Sequence, residues 1–372
     1  MSPISTRQNQ IEAIKTSPLF QLSLGSKELF HSNFMAWLAG KYPTLVGQLF
    51  APYLKDKTGD LTIIKVEREQ KNIDIYLYFA NGQELIIENK VKSIPYIEQL
   101  KEYSHNHKDH QNFLLLTLTR PEFTKTDKIP VHDIFWHTMS YQTLALALNK
   151  LAPDIKDPYD KFIISDYVFF ITFISSALEK VEVSESDYFT FYKPDTDQTL
   201  SLLKDLRMAD VYLKIKYQSL GSLVHQQLIK SIPNAQIHFG TFPKEPKKGT
   251  LYISYGMQRA QGIAQICYKI EEGLYASIQL QERRYSKLLQ GYAGYGRDTK
   301  DYAEKLLSLG KWFTFDHITK HPKVYPTQNH KNFNQYGVTD FYQSVNLDET
   351  YTIAKIIEIM IQDTKQMIDL TK

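Results

Sequence analysis

The sequence predicts an α/β protein in which a mixed α+β sheet, with helices on its faces, precedes a region of helices and antiparallel strands. Apolar residues make up 42% of the 372 residues, which is enough to bury a sizeable core. Helical and strand periodicities alternate as far as residue 150, and long helical stretches followed by antiparallel strands come after it. We therefore expect two domains, residues 1–150 and residues 151–372.

The elements of the first domain are predicted from their apolar spacing. The first helix has Ser26 as a good N-cap, and a second, short helix is expected at 44–54. The helix that follows the hairpin has Ser93 as its candidate cap and Pro95 in its first turn. The predicted order is helix 26–40, strand 61–69, the two strands of a hairpin over 72–93, helix 93–107, strand 112–119 and a further strand at 133–139. This order indicates a mixed sheet covered by helices.

The second half of the chain is predicted to be helical first and then antiparallel. Its helices are expected at 141–151, around 158–180, around 198–232 and at 348–370, and its strands at 251–256, 263–270 and 274–281. A helix, a strand and a long loop are expected between the last of these strands and the closing helix.

Composition and charge limit the compartment and the partners. The formal net charge is only +3, so any nucleic-acid surface must be local. Cys267 is the single cysteine, which fits a reducing compartment. The N-terminus has no apolar export signal, and the apolar run 168–178 is too short to span a bilayer. We expect a soluble, cytoplasmic protein with no membrane association.

The hairpin "NIDIYLYFANGQELIIENKVKS" places charged side chains inside apolar strands. Alternation puts Glu88 and Lys90 on one face and Asn89 on the other. A two-residue Asn81-Gly82 turn would place Asp74 opposite Asn89, whereas a three-residue loop ending at Gly82 would place it opposite Glu88. The turn residues suit both loops. The cost of burying a lone carboxylate favours the three-residue loop.

Two carboxylates and one ammonium on a rigid sheet suit Mg²⁺, which is bound by one or two carboxylates together with waters and substrate phosphate. A lysine beside the ion would orient or help to deprotonate an attacking water. The alternative is a buried ion pair of Lys90 with Asp74 or Glu88 that performs no chemistry.

An Asp on one strand followed by Glu-x-Lys on the next resembles the PD-(D/E)XK nuclease superfamily, whose restriction-endonuclease-like fold has an αβββαβ core. Ile replaces the usual Pro before this Asp. Within the superfamily the chain is similar to a bacterial branch with four motifs in order. These motifs are "ELFHSNFMAWL" at 28–38, "IDI" at 73–75, "IENK" at 87–90, and Gln99-Leu100 followed by Tyr103.

The resemblance implies the function and the roles of six residues. It implies a Mg²⁺-dependent endodeoxyribonuclease, with Mn²⁺ as a substitute ion, DNA rather than RNA as substrate, and a part in defence against phage. Asp74, Glu88 and the backbone carbonyl of Asn89 would bind the metal, Lys90 would be the catalytic lysine, Gln99 would line the site, and Glu28 would be the acidic residue supplied by the first helix. Glu67 and Glu69 are competitors for that acidic role, or else solvent-facing charges. The alternative function is a binding module for nucleic acid or protein with little catalysis.

The second domain is expected to serve substrate recognition, dimerisation as a homodimer, or regulation. Two of its stretches combine basic and aromatic residues, which suits phosphate contact and base stacking, although ordinary surface loops have the same composition. The first contains Arg283, Arg284, Lys287 and Arg297 with Tyr285, Tyr292 and Tyr295, and the second contains Lys320, Lys323 and Lys331 in a span without acidic residues. The spacing of His105, His107 and His110 invites a zinc site, but we expect a solvated loop there.

Overall fold

The chain divides into two compact units, Met1–Lys180 and Val181–Lys372. The structure is a computed structural model. It describes residues 12, 14–23, 27–70, 72–119, 124, 126–179, 181–233, 238–240, 250–255, 262–292, 294–318 and 333–370.

The first unit contains, towards its N-terminal end, the helices α1 (Pro18–Ser23), α2 (Lys27–Lys41) and α3 (Pro43–Phe50). Pro43 occupies the first turn of α3, where its missing N–H costs no hydrogen bond. The expected cap Ser26 lies outside the described residues. Helix α2 packs against the first three strands of the unit, so it is the element that brings the N-terminal motif to the sheet.

A six-stranded mixed sheet forms the centre of this unit. Its strands are β1 (Ile63–Gln70), β2 (Ile73–Phe79), β3 (Glu84–Lys90), β4 (Phe113–Thr117), β5 (Lys128–Val131) and β6 (Ile134–Ser140). They lie in the order β1-β2-β3-β4-β6-β5, and β4 runs parallel to both β3 and β6. All five residues of β4 are buried, as expected for a strand with parallel neighbours on both sides. The predicted order of helix, three strands, helix and strand is confirmed.

The hairpin of β2 and β3 adopts the three-residue loop. Tyr78 pairs with Glu84, and the N–H of Phe79 donates to the carbonyl of Gln83 at 2.9 Å. Gly82 closes the loop at φ +82°, a conformation that only glycine adopts without strain. The register expected from the burial cost is therefore confirmed.

Helices α4 (Ile97–Asn106), α5 (Tyr141–Leu151) and α6 (Pro158–Leu178) complete the unit. Helix α4 begins after Tyr96, so the prediction that Ser93 caps it and that Pro95 lies in its first turn is wrong. The hydroxyl of Ser93 has another partner, described below. Helix α5 is capped as its sequence indicates, because Ser140 accepts a hydrogen bond from the N–H of Thr143.

Helix α6 accounts for the position of the boundary between the units. Asp157 caps it, and it packs against α1 and α5, so the division falls after residue 180 and not near residue 150. The helix extends the apolar run 168–178 to 21 residues, and by length and composition it is apolar enough to cross a membrane. Nine of its residues are buried in the protein. A helix in the core of a protein has the same apolar composition.

The second unit combines helices with a seven-stranded sheet. Its helices are α7 (Gln198–Asp205), α8 (Ala209–Ser231), α9 (Gly296–Ser308) and α10 (Ile353–Asp369). Its strands are β7 (His238–Gly240), β8 (Thr250–Tyr255), β9 (Gly262–Glu271), β10 (Leu274–Gln281), β11 (Arg284–Gly291), β12 (Asn334–Tyr336) and β13 (Asp340–Asn346). They lie in the order β12-β13-β11-β10-β9-β8-β7, and only β7 and β8 are parallel among the pairs described.

Two predictions for this unit are corrected by the structure. The expected helix around 198–232 is broken between α7 and α8, where Arg207 has φ +52°. Residues 284–291, interpreted as part of a basic and aromatic surface stretch, form strand β11 between two other strands of the sheet. A strand in this position has both of its edges paired, and seven of its eight residues are buried.

Candidate active site

Asp74 and Glu88 lie opposite each other on neighbouring strands. The last ladder pair of β2 and β3 is Ile75 with Ile87, and the same register continues to Asp74 opposite Glu88. The N–H of Asn89 donates to Oδ2 of Asp74 at 2.7 Å, which fixes this carboxylate against β3. The two carboxyl groups are close enough to share a hydrogen bond when one of them is protonated.

Glu88 is a buried carboxylate with one paired oxygen and one unpaired oxygen. Its Oε1 lies 2.6 Å from Nζ of Lys90 on the same strand face. Its Oε2 is buried and has no hydrogen-bond partner among the described residues. Burial and the charge of Asp74 together raise the pKa of Glu88 to about 7, in spite of the opposing charge of Lys90. A cation bound beside Oε2 would therefore stabilise the ionised form of Glu88.

Lys90 remains a cation in this environment. Burial works to lower the pKa of Lys90, but the negative charges of Glu88 and Glu28 outweigh that effect and raise it. For Asp74, burial raises the pKa in spite of the hydrogen bond from Asn89 and the charge of Lys90. The site thus contains one buried ammonium, that of Lys90, and the carboxylates of Asp74 and Glu88. A further positive charge would lower the cost of ionising these two carboxylates.

Helix α4 adds polar side chains to the same group. Nε2 of Gln99 lies 3.3 Å from Oε1 of Glu88 and donates to the hydroxyl of Tyr103 at 2.7 Å. Gln99 and Tyr103 share one face of α4 because they are four residues apart. The structure therefore brings Gln99 to the two carboxylates, and Tyr103 lies beside it.

Glu28 reaches the end of β3 from the first turn of α2. One of its oxygens, Oε1, accepts hydrogen bonds from the N–H groups of Val91, Lys92 and Ser93 at 3.3, 3.2 and 2.9 Å, and from the Ser93 hydroxyl at 2.7 Å. Burial works to raise the pKa of Glu28, but the bonds from Ser93 and the charge of Lys90 lower it overall. Ser93 is thus engaged by Glu28 and is not the cap of α4.

The side chain of Asn89 links the site to two helices, a link that the sequence analysis missed. Its Nδ2 donates to the carbonyl of Glu28 at 3.2 Å and to the hydroxyl of Ser32 at 3.1 Å. Its Oδ1 accepts the hydroxyl of Tyr141 from α5 at 2.6 Å. Strand alternation correctly placed Asn89 on the face opposite Glu88, but nothing in the local pattern identified Tyr141, which lies far along the chain.

The donor set fits a divalent cation of the Mg²⁺ type. Asp74, Glu88 and a backbone carbonyl are hard oxygen donors, and the unpaired Oε2 of Glu88 is a buried acceptor that a cation would satisfy. Among the described residues no group of three or more His, Cys, Asp or Glu side chains is arranged to hold a metal. Mg²⁺ keeps several waters and does not need such a cage.

Glu67 and His107 contact other residues, and Glu69 is exposed. Glu67 accepts the hydroxyl of Tyr78 at 2.8 Å and pairs with Lys65 at 2.7 Å. His107, expected in a solvated loop, is buried, and its Nδ1 lies 2.9 Å from the hydroxyl of Tyr76. The expectation for His107 is wrong because α4 continues to Asn106 and turns this ring against the sheet. Glu69 is exposed on β1 at φ +54°.

Those predicted basic residues of the second unit that lie in the described part of the chain do not form one surface. Arg283 and Arg284 precede or begin β11, and Arg297 lies beyond its other end, so roughly 20 Å of strand separates them. Arg283 pairs with Glu349 at 3.2 Å. Lys287 and Tyr285 are fully buried, so their assignment to a surface is wrong. Lys320, Lys323 and Lys331 lie outside the described residues.

Comparison with protein families supports the resemblance found in the sequence. Residues 18–168 match the family model of the PD-(D/E)XK nuclease superfamily, which spans the chain from α1 into α6. The resemblance is thereby confirmed for this region, and the match indicates a nuclease that acts on nucleic acid with a divalent metal, as this superfamily generally does. No curated protein and no solved structure matches the chain.

Proposed function

We propose that the first unit, whose residues 18–168 match the PD-(D/E)XK nuclease superfamily, is a Mg²⁺-dependent nuclease that hydrolyses DNA phosphodiester bonds. The observation that carries the proposal is the buried Glu88, which lies opposite Asp74 in the strand register. Its Oε1 contacts Nζ of Lys90, and its Oε2 has no hydrogen-bond partner among the described residues. A carboxylate buried in this way is costly unless a cation completes its environment.

Asp74, Glu88 and the Asn89 carbonyl would hold the ion. When bound, Mg²⁺ polarises a phosphoryl oxygen and lowers the pKa of bound water, and Mn²⁺ supplies the same chemistry. Asn89 supports this group through its N–H bond to Asp74.

The role of Lys90 follows from its charge. Because its raised pKa keeps it protonated, Lys90 can orient a water and stabilise negative charge at the phosphate, but it cannot accept a proton in that state. Gln99, which lies 3.3 Å from Glu88, holds that carboxylate from the side of α4.

The proposal has further parts. The enzyme would be cytoplasmic, would prefer DNA to RNA, would cleave internally, and would take part in defence against phage. Residues beyond 180 would serve substrate recognition, assembly as a homodimer, or regulation. Nuclease digestion of matched DNA and RNA, linear and circular, would distinguish these substrates.

The decisive experiment is cleavage of a plasmid with Mg²⁺, with Mn²⁺ and with EDTA, using Lys90→Ala and Asp74→Ala as variants. Lys90→Ala keeps both carboxylates, so metal binding should survive while cleavage is lost. Asp74→Ala removes a ligand, so both should fall. In the absence of metal, DNA affinity should be kept in both variants, or even rise in Asp74→Ala as repulsion of phosphate is relieved.

The opposite result would assign the charges to stability alone. If the wild type cleaves nothing with either ion, and Lys90→Ala only lowers the free energy of unfolding, then the Glu88–Lys90 pair is a structural ion pair. A binding module on the same fold would then be the better description.

A further inference from the structure

Glu28 contacts the chain on both sides of Lys90. Its backbone carbonyl accepts Nδ2 of Asn89 at 3.2 Å, and its Oε1 accepts four hydrogen bonds from the segment Val91–Ser93. A single residue of α2 therefore holds the residues immediately before and after Lys90. Hydrogen bonds to an ionised carboxylate are roughly twice as strong as neutral ones.

We infer that Glu28 is a positioning residue that clamps the end of β3 around Lys90, and that it is not a metal ligand. The inference rests on the proposed nuclease function, and it assigns to Glu28 a role different from that of Asp74 and Glu88. The observation behind it is the convergence of three consecutive N–H groups and the Ser93 hydroxyl on one oxygen. Successive N–H groups that point inward form a concave anion site, and the Glu28 carboxylate fills this one.

The clamp also sets the approach to α4. The segment that Glu28 holds leads from Lys90 to Ile97, where α4 begins, and α4 carries Gln99. The carbonyl of Lys90 is held from the other side by the N–H of Leu118 at 2.8 Å. Loss of the Glu28 carboxylate would remove the hydrogen bonds that hold Val91–Ser93 but would leave the bond between Leu118 and Lys90 in place. Strand β3 would stay paired while the position of the Lys90 ammonium relaxes.

Hydrogen exchange of the metal-free protein tests the clamp directly. In Glu28→Ala the amides of Val91, Lys92 and Ser93 should exchange on the order of tenfold faster or more, because bonds to a charged acceptor are lost. Asp74→Asn is the matched control, since it changes a neighbouring carboxylate that accepts from Asn89 instead. Unchanged exchange at residues 91–93 in Glu28→Ala would overturn the inference.

Calorimetric titration with Mn²⁺ separates positioning from ligation. We expect Glu28→Gln to bind Mn²⁺ within about threefold of the wild type, whereas Asp74→Asn loses the affinity that a charged ligand supplies. Equal weakening in Glu28→Gln and Asp74→Asn would identify Glu28 as a ligand and overturn the inference. Glu28→Gln retains an acceptor oxygen, so this arm remains informative if Glu28→Ala fails to fold.

Kinetics on an oligonucleotide complete the test. For Glu28→Ala we expect kcat to fall on the order of 10–100-fold with KM little changed, as for other residues that orient a reacting group. Glu28→Gln should recover part of kcat, and Ser93→Ala should have little further effect once Glu28 is removed. A loss of activity caused only by a higher KM, with kcat unchanged, would overturn the inference. So would effects of Glu28→Ala and Ser93→Ala that add up in the double variant. If the wild type cleaves nothing, the nuclease proposal fails while the exchange result still decides whether the clamp exists.

Discussion

The N–H of Asn89 donates to Oδ2 of Asp74 at 2.7 Å, so the strand that carries Glu88 and Lys90 also holds the neighbouring carboxylate. The side chain of Asn89 faces away from the site and is held by Tyr141 and by the first turns of α2. The position of the Asp74 carboxylate therefore depends, through Asn89, on helices α2 and α5.

Tyr141→Phe should lower both activity and stability. The variant removes the hydroxyl that donates to Oδ1 of Asn89 at 2.6 Å and leaves that oxygen buried, at a cost of about 1–3 kcal/mol in the free energy of unfolding. We expect kcat to fall because Asn89 then holds Asp74 less firmly. Tyr217→Phe is the control, because its buried hydroxyl accepts the N–H of Glu282 at 2.7 Å in the second unit. A loss of kcat in both variants would argue against a specific role for Tyr141.

Lys287→Met should strongly destabilise the second unit. Lys287 is fully buried, and its Nζ lies 2.5 Å from Oδ1 of Asp363. Removal of the cation leaves the buried Asp363 carboxylate with the hydroxyl of Tyr285 at 2.8 Å and Nε2 of His317 at 3.2 Å, and loss of one partner of a buried ion pair costs about 3–5 kcal/mol. The control is Arg283→Met, which breaks a solvent-exposed pair with Glu349 and should change the free energy of unfolding far less. Denaturant unfolding measures both, and equal effects would contradict the prediction.

The pH dependence of stability should contain a contribution from Asp340. Burial raises the pKa of Asp340 to about 6, so between about pH 4 and 6 the folded protein binds more protons at this site than the unfolded chain does. The free energy of unfolding therefore falls as pH rises through this window and levels off above it. The difference between wild type and Asp340→Asn, measured by denaturant unfolding at several pH values, should show that fall. A difference that is constant with pH would contradict it.

Neutralisation of Lys320, Lys323 and Lys331 should weaken DNA binding and flatten its salt dependence. Each phosphate contact that is lost reduces the slope of log affinity against log salt by about 0.9. Fluorescence anisotropy at several salt concentrations measures that slope. Arg283→Gln should change it less, because Arg283 already pairs with Glu349. If the slope of the triple variant equals that of the wild type, the acid-free stretch has no part in binding.

Much of the site could be predicted because it is local. Strand alternation placed Glu88 and Lys90 on one face and Asn89 on the other, and the structure agrees. The turn residues left two registers open, and the cost of isolating a buried carboxylate correctly selected the one that sets Asp74 opposite Glu88. Side-chain alternation and turn geometry act over a few residues, so the sequence itself contains this information.

Only the tertiary structure decided what lies around those residues. The sequence indicated a helix that supplies Glu28, but not that one oxygen of Glu28 would bind three successive N–H groups beyond Lys90. The sequence pattern predicted Lys287 on a surface. In the structure β11 lies between two other strands, and the side chain of Lys287 is buried. Periodicity shows which face of an element a residue occupies. Packing between segments far apart in the chain decides which residues meet on that face. No local sequence pattern contains that information.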